Sequence, residues 1–368
     1  AESNLLQEKG NDVDTYIEHN DRVADFNSAQ LALKTIWSQE SYQIVQEKLK
    51  NTSTDIVHVQ NFFPLISPSV YYAAHTAGVP VVQTLRNYRL LCPNALFFRQ
   101  GQVCEDCLGK AIPYPGFVHA CYRENRLATA AIIAMLTSHR LMNTWLKQVN
   151  IFVSLSQFAR QKFIEAGWPA EKIMVKPNFV SPDPGIGSGS GGYALYVGRL
   201  SVEKGLDTLL TAWEQLKTSI PLKIIGDGPL SDVVVEATQR LPNVEWLGRK
   251  PMAEVYQIMG EAMFLIFPSK WYETFGRVAV EAFAKGTPVI ASNIGAIAEL
   301  VDHNRTGLHF CPGDSADLAI QVEKALTHPK ELLRMRHAAR AEFEAKYTAD
   351  KNYERFIEIY EAARSQHH

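Results

Sequence analysis

Short apolar runs alternate with longer amphipathic stretches along most of the chain. In the second half six such runs predict strands, at Tyr193–Val197, Leu222–Ile225, Val244–Leu247, Phe264–Phe267, Pro288–Ala291 and Gly307–Phe310. Three more lie in the first half, at Asp55–Val59, Pro80–Thr84 and Ile151–Leu155. In the second half each run but the last precedes a helical stretch, and the last is followed by Pro312-Gly-Asp and then a helix. In the first half helices are predicted around Pro68–Ala77 and at Ser156–Ala166. A repeated strand-then-helix pattern indicates an α/β fold with parallel sheets covered on both faces.

The length of 368 residues favours two domains over one core. A Gly/Ser/Pro-rich run at 182–192 is typical of a linker. It contains a G-x-G-x-x-G pattern, but these glycines precede a strand instead of following one, which excludes the dinucleotide fingerprint. We therefore predict domains at 1–181 and 193–348, and a final helix at 349–368.

The amino-terminal residues predict a helix at Ala1–Lys9 that stops at Gly10, with Asn11–Ile17 leading into a strand. Because a domain of this type normally begins with a strand before that helix, we expect a first strand and its loop to be absent from this sequence.

Charge and composition argue against some classes of partner. The formal net charge of −2 provides no strong field for nucleic acid or an anionic membrane. The longest uncharged apolar stretch, Leu127–Ser138, is too short to span a bilayer. We expect it to form a buried helix, with membrane contact as the alternative. Five cysteines in a chain of this length do not indicate a secreted disulfide scaffold, so a cytoplasmic location is expected.

Two cations and two glycines follow the predicted strand at 193–197. Gly198, Arg199, Lys204 and Gly205 lie where the carboxyl end of a parallel strand meets a helix start, the usual ligand crevice of such sheets. Glycine lets backbone approach a phosphate, and the helix start and the cations favour negative charge. The alternative is a pair of solvated surface cations. We predict a diphosphate site.

Two carboxylates lie eight residues apart near the start of another helix. Glu273 precedes the helix and Glu281 lies within its apolar first turns. A buried carboxylate needs hydrogen-bond partners, which a ribose diol could supply. The backbone of Phe275, Gly276, Arg277 and Val278 can offer N–H groups to a phosphate and to sugar hydroxyls. Gly226 and Asp227, after a third strand, form either a tight turn or a further nucleotide contact.

These motifs, in this order, resemble those of glycosyltransferase family 4, and the resemblance extends along the whole chain. They are Gly198-Arg-Leu with Glu-Lys-Gly205, Gly226-Asp-Gly-Pro229, Pro268-Ser with Glu273-x-Phe-Gly276 and Glu281, and Gly286-x-Pro-Val-Ile290 through Thr306-Gly307. The resemblance implies the GT-B fold, in which two Rossmann-like domains face each other across a cleft and the final helix crosses back to the first domain. It also implies a retaining, metal-independent enzyme that uses a nucleotide sugar.

The resemblance further implies roles for individual residues. Arg199 and Lys204 would bind the donor diphosphate, Glu281 the ribose and Glu273 the transferred sugar. Many members carry a histidine where this chain has Arg86, so a histidine-based role is in doubt. Arg86 could instead stabilise a leaving phosphate. His58 is the remaining histidine near that position, and a structural role is equally consistent with it.

Four of the five cysteines fall within thirty residues, in a loop-rich stretch. In a cytosolic protein this spacing favours a structural zinc site, with free thiols and disulfides as the alternatives. The predicted ligands are Cys92, Cys104, Cys107 and Cys121.

The sequence thus predicts transfer of a hexose, with UDP-glucose as the expected donor, to a glycan or a lipid-linked saccharide in polysaccharide biosynthesis. Peripheral association with the inner face of a membrane is a further expectation. The sugar and the setting rest on family frequency alone. An epimerase, a phosphorylase or a non-catalytic scaffold of the same fold are the alternatives.

Overall fold

A computed structural model describes residues 1–366, so the last two residues of the predicted helix at 349–368 lie outside the described residues. The chain forms two compact units. The first contains Ala1–Arg99, Cys104–Lys176 and the chain from Tyr353 onward, and the second contains Gln100–Val103 and Pro177–Asn352.

The strands before residue 177 are β1 (Val57–Val59), β2 (Val81–Leu85), β3 (Phe98–Arg99), β4 (Gln102–Val103), β5 (Ile151–Ser154) and β6 (Ile173–Val175). The helices there are α1 (Glu2–Glu8), α2 (Ser28–Ile36), α3 (Gln39–Asn51), α4 (Ser69–Thr76), α5 (Tyr114–Val118), α6 (Arg126–Leu141), α7 (Thr144–Gln148) and α8 (Gln157–Glu165). A parallel sheet of order β1-β2-β5-β6 forms the centre of the first unit.

Two sequence predictions in this unit need correction. No strand forms at Asn11–Ile17 or directly after it, where the next element is a short 3-10 helix at Asn20–Asp25. Polar side chains break the apolar alternation there: Asp14 pairs with Lys48 at 2.7 Å, and Ile17 is exposed. The predicted helix at Leu127–Ser138 exists as α6 but is only half-buried, because one side packs on α2 and α5 while Leu127 and Leu141 remain exposed.

The second unit has six parallel strands in the order β12-β11-β10-β7-β8-β9. They are β7 (Ala194–Val197), β8 (Leu222–Ile225), β9 (Val244–Gly248), β10 (Phe264–Phe267), β11 (Val289–Ser292) and β12 (Gly307–Phe310). The helices are α9 (Leu206–Gln215), α10 (Ser231–Arg240), α11 (Met252–Glu261), α12 (Arg277–Ala284), α13 (Gly295–Leu300), α14 (Ser315–Thr327) and α15 (Pro329–Lys346). Every strand matches a predicted apolar run within one or two residues.

The final helix, α16 (Ala349–Ser365), contributes to the core of the first unit. Ile359 and Ala363 pack with Val82, Ile151 and Val153 on the central strands. Burial of this apolar side anchors the carboxyl terminus to the sheet formed by the first half of the chain. In the second unit, the glycine-rich run at 182–192 hydrogen-bonds along the body of the unit, with Gly187 N–H donating to the Lys285 carbonyl.

Candidate functional site

The candidate site lies at the carboxyl edge of the second sheet. Strand β7 has β10 on one side and β8 on the other, so the strand order reverses beside β7. In open α/β sheets ligands bind outside the carboxyl ends of the strands at such a reversal. The loops after β7, β8 and β10 carry most of the predicted site residues, and the fold therefore brings these loops to one edge.

Two glycines allow these loops to approach each other closely. A Cβ on Gly226 would lie 1.8 Å from the Gly198 carbonyl oxygen, and one on Gly205 would lie 1.8 Å from the Pro268 carbonyl oxygen. Both glycines have positive φ, +143° and +70°. The loops are also joined by a hydrogen bond from Leu200 N–H to the Asp227 carbonyl at 3.0 Å. Both positions therefore require glycine, because a side chain would clash with the neighbouring loop and because L-residues rarely adopt these backbone conformations.

The main polar contact of the site joins the β7 loop to the β10 loop. Lys204 Nζ lies 2.5 Å from Glu273 Oε1. The same oxygen accepts hydrogen bonds from Ser269 Oγ and Trp271 Nε1, each at 2.9 Å. The Lys204 ammonium also lies 5.3 Å from the centre of the Trp271 ring. Glu273 is buried, so these donors compensate for its loss of hydration.

Arg199, the second predicted diphosphate ligand, is exposed at the same edge. Its backbone carbonyl accepts a hydrogen bond from Tyr196 Oη at 2.9 Å, which fixes the start of the loop. Among the described residues no carboxylate forms an ion pair with its guanidinium. Its charge is therefore available to an anion, whereas that of Lys204 is shared with Glu273.

Helix α12 begins at the end of the β10 loop and carries the second carboxylate. Gly276 precedes it with a φ of +104°, and Arg277 and Val278 form its first turn. Phe275 is buried against Tyr347, with ring centroids 6.1 Å apart. The first N–H groups of a helix carry partial positive charge, so this terminus can accept a phosphate or a hydroxyl oxygen.

Glu281 is buried on α12, one turn after Arg277. Its Oε1 accepts a hydrogen bond from Arg277 Nε at 2.9 Å. Burial raises the pKa of Glu281 above its ordinary value, and Arg277 only partly opposes this effect. The Arg277 side chain is itself largely exposed. A carboxylate in this environment gains from additional neutral donors, such as the two hydroxyls of a ribose.

The candidate residues of the first unit form a separate polar network. Arg86 Nη2 lies 3.0 Å from Glu2 Oε2, and Arg86 Nε donates to Gln60 Oε1 at 2.9 Å. The other Glu2 oxygen pairs with Lys176 Nζ at 2.8 Å. Burial would raise the pKa of Glu2, but Lys176 and Arg86 together hold it below its ordinary value. Glu2 therefore fixes both cations.

His58 has a structural environment. Its Nδ1 lies 2.8 Å from Tyr360 Oη and its Nε2 lies 2.7 Å from Thr84 Oγ1. Burial lowers the pKa of His58 to about 4. The imidazole is therefore neutral at physiological pH and links β1, β2 and α16.

Sequence reasoning missed several supporting residues. Ser269 and Trp271, which hold Glu273, lie within or beside the Pro268-to-Gly276 motif, but the motif alone assigns them no role. Lys176 and Glu2 are 174 positions apart, and nothing in the sequence indicates that they pair. Buried charges of opposite sign at strand or helix ends are the only signal that could have suggested them.

The predicted zinc site is not supported. The cysteines are free, and no group of three or more His, Cys, Asp or Glu among residues 1–366 is placed to hold a metal ion. Burial raises the thiol pKa of Cys107 to about 12 and also raises that of Cys104 and Cys121, so these thiols are protonated when no metal ion is bound. The spacing in sequence brings the thiols near one another without forming a coordination geometry.

Residues 188–342 match the sequence profile of the glycosyl transferases group 1. This segment is a group 1 glycosyltransferase domain. It contains both loops that meet at Lys204 and Glu273 and the whole of α12. For this segment, the predicted family is thereby confirmed at the level of group 1.

Two curated relatives illustrate the range of this family. A glycogen synthase of Mycobacterium tuberculosis is 36% identical over 152 residues, which cover 40% of this chain and 36% of the relative. A lipopolysaccharide 1,2-N-acetylglucosaminetransferase of Salmonella typhimurium is 32% identical over 178 residues, which cover 45% of this chain and 46% of the relative. The chain thus matches less than half the length of either protein.

Solved structures extend the likeness to most of the chain. The structure of the Anabaena protein HepE in complex with UDP is similar with a TM-score of 0.66 at 21% identity, covering 88% of this chain and 82% of that one. A sucrose-phosphate synthase from Thermosynechococcus elongatus is similar with a TM-score of 0.61 at 17% identity, covering 88% and 79%. These likenesses confirm the predicted fold, a GT-B architecture with two Rossmann-like domains.

Proposed function

We propose that this chain is a retaining glycosyltransferase of family 4 that transfers a hexose, with glucose as the first candidate, from a UDP-sugar to a hydroxyl of a glycan or glycolipid. The observation that carries the proposal is the Lys204–Glu273 contact at the strand-order reversal of the second sheet. A cation suited to a diphosphate and a carboxylate suited to sugar hydroxyls lie there side by side.

The surrounding residues support separate binding roles within the proposed donor site. Arg199 and Lys204 would neutralise the diphosphate, assisted by the amino terminus of α12. Glu281 would accept the ribose hydroxyls, and Asp227 in the β8 loop would line the nucleotide side. Solved structures of HepE hold UDP and UDP-glucose, which favours uridine as the base tested first.

The proposed chemistry is substitution on the same face of the sugar. The bond between the anomeric carbon and the diphosphate oxygen breaks as the acceptor oxygen forms its bond to that carbon, and the acceptor proton passes to the leaving phosphate. Catalysis would then come from positioning and from stabilisation of the departing charge by Arg199 and Lys204. These cations supply the charge that a divalent ion would otherwise contribute.

The acceptor and the cellular location are part of the same proposal. Relatives include transferases acting on quite different acceptors, so we propose only a saccharide hydroxyl, free or lipid-linked. The five free cysteines fit a reducing compartment such as the cytoplasm.

The test is calorimetric binding of UDP, GDP, ADP and the corresponding glucose conjugates, with and without EDTA. We expect UDP and UDP-glucose to bind most tightly and EDTA to have no effect. Slow hydrolysis of the bound donor with release of α-glucose, followed by NMR, would support retention. Release of β-glucose would contradict it, and glucosyl transfer to inorganic phosphate or a change of the sugar's configuration would favour a phosphorylase or an epimerase. Failure to bind any nucleotide would overturn the proposal.

A further inference from the structure

The first unit exposes an apolar and basic face that the donor chemistry does not use. We define this face, called the α5–α6 face below, as Lys110 through Leu127 together with the outer side of α6. Its exposed apolar residues include Ile112, Tyr114, Phe117, Val118, Leu127 and Leu141. None of them is a candidate donor-site residue.

The outer side of α6 is apolar where a surface helix is normally polar. Residues 127, 134 and 141 are spaced by seven and therefore lie along one side of the helix. Leu127 is 83% exposed and Leu141 is 79% exposed, and Ala134 between them is exposed as well. The opposite side of α6 contributes Ile132, Met135 and Leu136 to the core. The helix is thus apolar on both sides.

The segment containing α5 continues this surface. Tyr114, Phe117 and Val118 on α5 are exposed, and α5 packs against α6. At the other end of α6, Arg140 Nη1 donates to the Ala111 carbonyl at 3.1 Å, which holds residues 110–112 beside the end of the helix. The exposed apolar residues therefore extend along the full length of α6, about 24 Å for sixteen residues.

The face is basic. It contains Lys110, Arg123 and Arg126 and a single acidic residue, Glu124, a net charge of +2 in a chain whose net charge is −2. Lys110 lies 5.6 Å from the Tyr114 ring centre, and Arg123 lies 5.3 Å from that of Tyr122. Cations placed beside aromatic rings suit the interface between lipid headgroups and acyl chains.

One of these cations opposes local helix stability. Arg126 occupies the first position of α6, where the helix dipole disfavours positive charge, and no acidic residue lies in that first turn. Its side chain is exposed and adjoins Leu127. A basic residue at this position does not stabilise the helix, but it could pair with an anionic partner.

We propose that the α5–α6 face docks on a bilayer that contains anionic lipids. Charge complementarity selects this partner, since the basic groups match lipid phosphates while the aromatic and aliphatic groups enter the interface. No helix of residues 1–366 is long and apolar enough to cross a membrane, so the contact proposed is a surface one. The inference deepens the proposed function, because a docked enzyme would meet a lipid-linked acceptor, but binding itself does not require catalysis.

The test is co-sedimentation with vesicles of phosphatidylcholine alone or with about one third phosphatidylglycerol. We expect binding to the anionic vesicles at least tenfold stronger than to the neutral ones, and a several-fold weakening when NaCl is raised from about 50 to about 500 mM, since salt screens charge. Equal binding to both vesicle types, or none to either, would overturn the proposal.

Variants separate the two components of the face. Phe117→Ser with Leu127→Ser should reduce vesicle binding at least tenfold, and Arg123→Gln with Arg126→Gln should remove the preference for anionic lipid. Ile320→Ser with Leu333→Ser, at exposed apolar positions of the second unit, is the matched control and should bind vesicles as the unaltered chain does. Retained binding in the first pair would contradict the proposal.

Two further measurements separate membrane docking from donor binding and from self-association. UDP binding measured by calorimetry should be unchanged in all variants. The vesicle assay and the UDP assay therefore test the two proposals independently, and either proposal can fail without affecting the result for the other. Light scattering should give the same mass for the unaltered chain and the Phe117→Ser, Leu127→Ser variant. A dimer that this variant dissociates, without vesicle binding, would assign the face to self-association and overturn the membrane proposal.

Discussion

Removal of the Lys204 ammonium is the sharpest test of the donor site. Under the proposed assignment, Lys204→Ala would delete a charge-assisted hydrogen bond to the diphosphate, a contact worth about 1.5–3 kcal/mol. The variant also leaves Glu273, held by Ser269 and Trp271, close to the diphosphate with no neighbouring cation. This repulsion adds about 1 kcal/mol or more at a partly screened site. We therefore expect UDP to bind roughly 100-fold more weakly.

The assay is calorimetric titration with UDP, supported by circular dichroism and thermal unfolding to establish that the variant folds. Lys217→Ala is the matched control, because Lys217 is an exposed lysine just beyond the carboxyl end of α9, away from the carboxyl edge of the sheet. It should bind UDP like the unaltered chain. Binding by Lys204→Ala within twofold of the unaltered chain, with the fold intact, would refute the assignment of Lys204 to the diphosphate.

A double-mutant cycle tests whether the pair acts as a unit. Glu273→Gln keeps an oxygen that accepts from Ser269 and Trp271 but removes the negative charge. Because Lys204 then serves the diphosphate alone, this variant should bind UDP as tightly as the unaltered chain or more tightly, yet lose donor hydrolysis. The combined variant should recover part of the affinity that Lys204→Ala loses. Equal losses from both single changes would contradict this reasoning.

Three further predictions concern other parts of the molecule. Glu281→Gln should abolish the preference for UDP over its 2′,3′-dideoxy analogue, which we expect to be about tenfold or more in the unaltered chain and which calorimetry measures directly. Gly226→Ala should lower the thermal unfolding temperature and the UDP affinity far more than Gly248→Ala. Both glycines have positive φ, but only at Gly226 would the added Cβ clash, with the Gly198 carbonyl. Similar effects of the two substitutions would show that the close approach of the loops is unimportant. Folding lowers the pKa of His58 from about 6.5 to about 4, so the unfolded chain binds more protons between these pH values. The free energy of unfolding should therefore fall by about 2 kcal/mol, from this group alone, as the pH falls from 7.5 to 5. Urea unfolding of His58→Gln should lack that component.

The sheet of the second unit could be predicted from sequence because its strands are buried on both faces. Continuous apolar runs such as Phe264–Phe267 leave no other assignment when a helical pattern follows. The first unit was harder. At Asn11–Ile17 the apolar positions suggested a strand, but a strand also needs a neighbour to accept its hydrogen bonds, and no local pattern reports whether one is present.

The sequence predicts which residues belong to the candidate site, but it does not predict which of them contact each other. The motifs place Lys204 and Glu273 in loops after two strands, and parallel topology brings those loops to one edge. That the two side chains bond each other depends on close loop approach, which requires Gly205 against Pro268. Likewise, the net charge of −2 predicts no anionic partner, because a sum over the whole chain hides the three basic residues Lys110, Arg123 and Arg126 near the start of α6.

The two carboxylates of the site differ in how many hydrogen-bond donors the protein already supplies to them. Glu273 is already supplied with three donors, so a ligand anion competes for Lys204 and leaves Ser269 and Trp271 to hold the carboxylate in place. Among residues 1–366, Glu281 pairs only with the exposed Arg277, and its raised pKa indicates that this pairing does not offset the cost of burial. Neutral hydroxyl donors would stabilise Glu281 without displacing Arg277. These two environments support the proposed assignment, in which Glu273 lies beside the charged diphosphate and Glu281 accepts the ribose diol.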